Sequence, residues 1–126
     1  MWRAMPRRVT AAELAALTAT LDQVAGGTDP AGPALIAAVR TLCRTLGERH
    51  PGGILELRVP PYAAVQLGIG RRGAHTRGTP PNVVETDALT VLRLAAGVLA
   101  WPEAMAVHAV AASGPHTDLS EVFPLR

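Results

Sequence analysis

Lysine is absent from this chain, and all twelve positive side chains are arginine. Two readings of that bias stand side by side. The arginine fork grips phosphate and carboxylate in a bidentate way, which suits anion recognition. The chain is also rich in Ala, Gly, Pro and Leu, which is what GC-rich coding DNA yields without selection on any site. A formal net charge of +2 supports only weak electrostatic steering, even with a pI near 9.5. Cys43 is the only cysteine, which excludes an internal disulfide and points to a reducing compartment. Aromatics make up only 3% of residues. Readers of single-stranded nucleic acid interleave aromatics with positive charge, so nucleic-acid binding is not expected. The only serines are Ser113 and Ser120, and neither lies in a G-x-S-x-G nucleophile turn. The four histidines, His50, His75, His108 and His116, fall at no zinc-site spacing, so no metal and no cofactor is expected. No apolar run approaches the roughly 20 residues that span a bilayer.

What is present suits one compact domain. A chain of 126 residues, 48% of them hydrophobic, can fill one core and is too short for two. Residues 1–9 read as a loose basic N-terminus, and 10–126 as the domain. Arg3, Arg7 and Arg8 ahead of an Ala/Leu-rich run imitate a signal peptide, but Glu13 and Asp22 interrupt that run and its apolar residues are periodic. An amphipathic helix in a cytoplasmic protein is the reading that follows.

Thr10 and Glu13 form a capping box, in which each side chain satisfies a free backbone N–H of the helix start, and Leu14, Leu17, Leu21 and Val24 follow on one face. Gly26-Gly27 ends this helix. Asp29 with Pro30 predicts the start of a second, striped by Leu35, Ile36, Val39, Leu42, Cys43 and Leu46, with Gly47 where the chain leaves it. Cys43 on that stripe reads as a buried structural thiol. From Gly53 the period changes to two. Leu55, Leu57 and Val59 alternate with Glu56 and Arg58, and Ala63, Val65, Leu67 and Ile69 repeat the pattern after Pro60-Pro61. Strands are expected near 54–59, 62–69, 73–78, 82–87 and 107–113, the first four as an antiparallel meander. Asp87 caps a helix that runs to Gly97, and Trp101-Pro102-Glu103 starts a short one. Asp118 with Glu121 predicts a capped closing helix over 119–125. Strands, then helices, then a returning strand make an α+β fold with helices packed on one face of a mixed sheet.

The order of Val83-Val84-Glu85-Thr86-Asp87-Ala88-Leu89, Gly97, Trp101-Pro102-Glu103-Ala104, Ala112-Ser113-Gly114 and Asp118-Leu119 resembles the C-terminal half of the sterol-carrier-protein-2 superfamily. The preceding run His75-Thr76-Arg77-Gly78-Thr79-Pro80-Pro81-Asn82 is similar to its bacterial branch, the sterol carrier family proteins. The resemblance covers about Ile54 to Leu125. It implies a five-stranded, mostly antiparallel sheet with helices roofing an apolar tunnel, bordered here by Leu92, Leu99, Trp101, Met105, Leu119, Val122 and Phe123. At Val107-His108 many relatives place a glycine or lysine instead.

Gly68-Ile69-Gly70-Arg71-Arg72-Gly73 formally matches G-x-G-x-x-G. The residues that follow cannot form the helix that dinucleotide binding needs, so the run reads as a hairpin turn. Arg71, Arg72, His75 and Arg77 form a basic cluster, either an anion contact or a solvated tip. Glu85 is the one acidic residue kept as a polar site group. The His75–Asn82 loop reads equally as a rigid bend and as a functional loop. No catalytic constellation emerges. The expected function is therefore non-enzymatic binding of a small apolar or amphipathic ligand, lipid or sterol-like, with the ligand's anionic head at the basic cluster. The alternative is a filled-core scaffold that docks a protein partner or a second copy.

Overall fold

The computed structural model describes residues 7–69 and 82–125. Thr10 and Glu13 form the expected reciprocal cap, each backbone N–H donating to the other's side chain at 3.0 Å, and open α1 (Ala11–Ala25). The second helix, α2 (Gly32–Arg49), starts later than Asp29-Pro30 suggests. Its N-cap is Ala31, with Pro33 in the first turn, because the Asp29 carboxylate accepts from Arg93 Nη2 at 2.8 Å, 64 residues away, instead of from the backbone beside it. Gly47 lies inside α2 and does not end it; His50 is the C-cap.

Strands β1 (Leu55–Val59) and β2 (Ala63–Leu67) form the antiparallel hairpin expected around Pro60-Pro61, with Leu55 opposite Leu67 and Val59 opposite Ala63. The next strand, β3 (Asn82–Thr86), corrects the expected meander. It pairs parallel to β1 on the side away from β2, Leu55 beside Asn82 and Arg58 beside Glu85. Alternation reports which face a residue occupies and carries no information about strand direction, so the crossover after β2 left no local trace.

Asp87 caps α3 (Ala88–Ala96), its Oδ1 accepting from Thr90 N and its Oδ2 from Thr90 Oγ1, both at 2.9 Å, and Gly97 closes the helix in the left-handed region. The short α4 (Trp101–Ala106) follows, with Pro102 in its first turn. His108 then takes a φ of 58°, which delays β4 (Val110–Ser113) by three residues relative to the expected 107–113. The sheet has four strands among the described residues, in the order β2-β1-β3-β4. The strand expected at 73–78 lies outside them.

Nor does the closing helix form. Asp118 Oδ1 accepts from Ser120 N at 2.9 Å, and the N–H groups of Val122 and Phe123 both reach Leu119 O, so a single turn results. Pro124 has no N–H to continue it. The tail docks instead through Leu125 N onto Ala95 O of α3, at 2.9 Å.

The core lies between the helices and one face of the sheet. Leu55, Leu57 and Val59 of β1 and Val84 of β3 point into it, met by Leu42 and Leu46 of α2, Val91 and Leu92 of α3, and Leu17 of α1, all at most 1% exposed. Burying each leucine contributes roughly 2 kcal/mol relative to leaving it in water. Among the buried polar groups, Asn82 uses both ends of its side-chain amide. Its Nδ2 donates to Ile54 O at 2.7 Å and its Oδ1 accepts from His116 N at 2.9 Å, joining the entry to β1, the start of β3 and the C-terminal loop. The opposite sheet face carries Glu56, Arg58, Val83 and Glu85, with Arg58 Nε donating to Glu56 Oε1 at 2.6 Å.

Candidate functional site

On α2, Arg40, Cys43, Arg44, Gly47 and Glu48 recur at helical spacing on one stripe, beside the stripe that fills the core. This stripe faces β2, the outermost strand on that side among the described residues. Between them lies a cleft of about 590 Å³, walled by Tyr62, Ala63, Ala64, Val65 and Cys43 and bordered by Arg7, Arg8, Arg40, Arg44 and Glu48. Its wall is apolar and its charged border is mostly cationic. Gly47 keeps the helix close to the strand, since a Cβ there would stand 2.9 Å from Val65 Cγ2.

The border is built by tertiary contacts. Val9 N donates to Glu48 Oε2 at 2.7 Å, which lays the end of the N-terminal arm along α2. Glu13 sits between two guanidinium groups, with Arg44 Nη2 at 2.9 Å and Arg7 Nη2 at 3.0 Å. Its carboxyl is held well below the usual carboxylate range, first by Arg44, then by the Thr10 backbone N–H and by Arg7. Arg40 is braced through Nε, which donates to Tyr62 O at 3.2 Å. The Cys43 thiol is buried, and burial pushes its pKa up to about 12. At neutral pH it is an inert part of the wall, as its place among apolar residues suggested.

The residues expected to line an apolar tunnel are distributed differently. Leu92 and Leu119 are fully enclosed in the core. Leu99, Trp101 and Phe123 border a recess of about 320 Å³ at the α3–α4 joint, where the Trp101 and Phe123 rings stack with centroids 6.4 Å apart. Val122 and Phe123 border a second recess of about 460 Å³ with Arg49 and His50. Met105 is exposed, as are Val98 and Val107. Of the polar set, Arg71, Arg72, His75 and Arg77 lie outside the described residues. Glu85 is exposed on the sheet face opposite the core and lines none of these three hollows.

The formal G-x-G-x-x-G gains a structural explanation at its first position. Gly68 N donates to His50 O at 2.9 Å, and a Cβ on Gly68 would overlap the Pro51 carbonyl oxygen, so the glycine admits the 50–52 loop against the end of β2. Sequence reasoning missed the cleft because its walls come from three separate segments. The stripe Arg40, Arg44, Glu48 was legible on its own, but nothing local shows that β2 and the N-terminal arm come to it.

A mixed sheet with helices stacked on one face, its β1 and β3 parallel neighbours, defines a small α+β domain with an open cleft between α2 and β2. The description "Bacterial SCP ortholog" matches residues 32–125, about three quarters of the chain. The chain therefore belongs to this bacterial family of sterol-carrier-protein-like domains. No curated protein matches it. Among the described residues no helix is long and apolar enough to cross a membrane.

Proposed function

We propose that this domain binds a small amphipathic molecule without transforming it, and holds it in the cleft between α2 and β2. The observation that carries this reading is the cleft itself: about 590 Å³ of space with an apolar wall and an arginine border. That volume falls in the range of small-molecule sites, roughly 300–1,000 Å³. An amphipathic ligand uses both parts, its tail covering Val65, Ala63 and the Tyr62 ring while its head stays at the border in contact with water. Family membership supports the same class of task. A cytoplasmic setting, in which the thiol of Cys43 stays reduced, accords with it.

Native mass spectrometry of protein purified without detergent, joined to thermal unfolding against a lipid panel, tests the proposal. Bound ligand raises the melting temperature with the logarithm of its concentration over Kd once that ratio exceeds one. Ala63→Phe, which fills the cleft, should remove that increase while leaving cooperative unfolding intact. Repeated recovery of ligand-free protein with no change in melting temperature across the panel would replace the carrier reading with that of a scaffold docking a protein partner.

A further inference from the structure

Of the four arginines at the cleft, two are engaged in holding it together. Arg7 and Arg44 share the carboxylate of Glu13. Arg40 spends only its Nε, on Tyr62 O, so its two terminal nitrogens have no protein partner among the described residues. Arg8 has neither a hydrogen bond nor an ion pair among them, although it lines the same cleft. The remaining acid at the border, Glu48, is engaged by Val9 N. The mouth of an apolar cleft therefore carries two guanidinium groups with no carboxylate in contact with them among the described residues, one of them braced so that its fork is held in place.

We infer that Arg8 and Arg40 are the residues that read the ligand's head, and that the head is a carboxylate or phosphate anion rather than a hydroxyl. This inference rests on the carrier reading and narrows it. A guanidinium with free terminal nitrogens presents paired N–H donors matched to two oxygens of one oxyanion, and a charge-assisted pair is about twice as strong as a neutral hydrogen bond. A hydroxyl head offers one oxygen and no charge, so it gains nothing comparable. Arg7 and Arg44 position the arm and do not read the ligand, because their forks already face Glu13.

The test compares three probes with one tail, the two anions below their micelle concentrations and the alcohol below its solubility limit: dodecanoate, dodecyl phosphate and dodecanol. Titration calorimetry on the full chain should show both anions binding at least roughly tenfold tighter than the alcohol. Arg8→Gln with Arg40→Gln should bring the affinities of both anions down to that of dodecanol measured on the same variant, whereas Arg93→Gln, on α3, should alter none of the three. The anion preference should also shrink as salt rises. The ratio of the two anions shows whether free carboxylates or phosphate headgroups are the better source of the head. Equal binding of acid and alcohol, or a preference that survives the double substitution, overturns this inference and leaves the carrier reading standing. Binding of none of the probes overturns both. Arg8→Gln alone lies on an exposed arm, so a partial loss of preference there supports the inference even where Arg40→Gln disturbs the Tyr62 contact.

Discussion

Gly47 and Val65 meet so closely that a methyl group on Gly47 would lie 2.9 Å from Val65 Cγ2. In a helix interior, Gly→Ala ordinarily stabilises by about 1 kcal/mol. Here the new methyl must displace a β-branched side chain with little χ1 freedom, and overpacking costs about 1–3 kcal/mol. Gly47→Ala should therefore lower stability by about 1 kcal/mol in denaturant titration. In a Val65→Ala background the same change should raise it, because only the helix gain remains. Additive effects in this double-mutant cycle would show that the two residues do not press on each other.

Asn82 should tolerate substitution poorly. It is 1% exposed and bonds Ile54 O and His116 N at once. Asn82→Ala leaves two partly buried backbone groups without this partner and opens space at a buried position, and should cost about 1–2 kcal/mol. Asn82→Asp should cost more, since it removes the donor to Ile54 and places a charge in a buried site. Thermal unfolding of the two variants checks the order.

Stability should depend on pH through Glu13. Its pKa in the folded state is lowered, so the contribution of its contacts is complete above the unfolded carboxyl value, about 4.3, and is lost as pH falls below it. The melting-temperature gap between the protein and its Glu13→Gln variant should be constant near neutral pH, begin to narrow at about pH 5, and go on narrowing to the lowest pH at which the protein stays folded. Because Arg7 is largely exposed, salt should narrow the gap at every pH. Comparing against the variant cancels Asp118, whose carboxyl is also lowered, by its bonds from Ser120.

Cys43 should resist thiol reagents. With burial raising its pKa to about 12, the native protein at pH 8 should react with dithionitrobenzoate at least roughly 100-fold more slowly than the unfolded chain. Rapid native labelling would mean that the cleft wall opens readily.

Much of the fold was legible in the sequence wherever the cause was local. The Thr10–Glu13 box, the Asp87 cap, the Gly97 stop and the Pro60-Pro61 hairpin each arise within a few residues of chain, and each formed as read. Departures arose where a distant partner decided. Asp29 turned to Arg93, Gly47 was required by Val65 across the helix–strand contact, and β3 lies parallel to β1 after a long crossover. The closing helix stopped after one turn at Pro124, a residue present in the sequence whose missing N–H outweighed the cap signal at Asp118. The cleft escaped sequence reading because its border joins Arg8 to Arg40 and Arg44, and its wall comes from a strand some twenty residues further on.

The arm held by Val9 on Glu48 lies ahead of the family match, which begins at residue 32, whereas α2 and β2 lie within it. Arg8 on that arm and Arg40 on α2 therefore reach the same cleft from outside and from inside the matched region. Grafting a different leader onto α2 would replace Arg8 while keeping Arg40 and the β2 wall, so that one half of the entrance could change while the shared helix and strand stay the same.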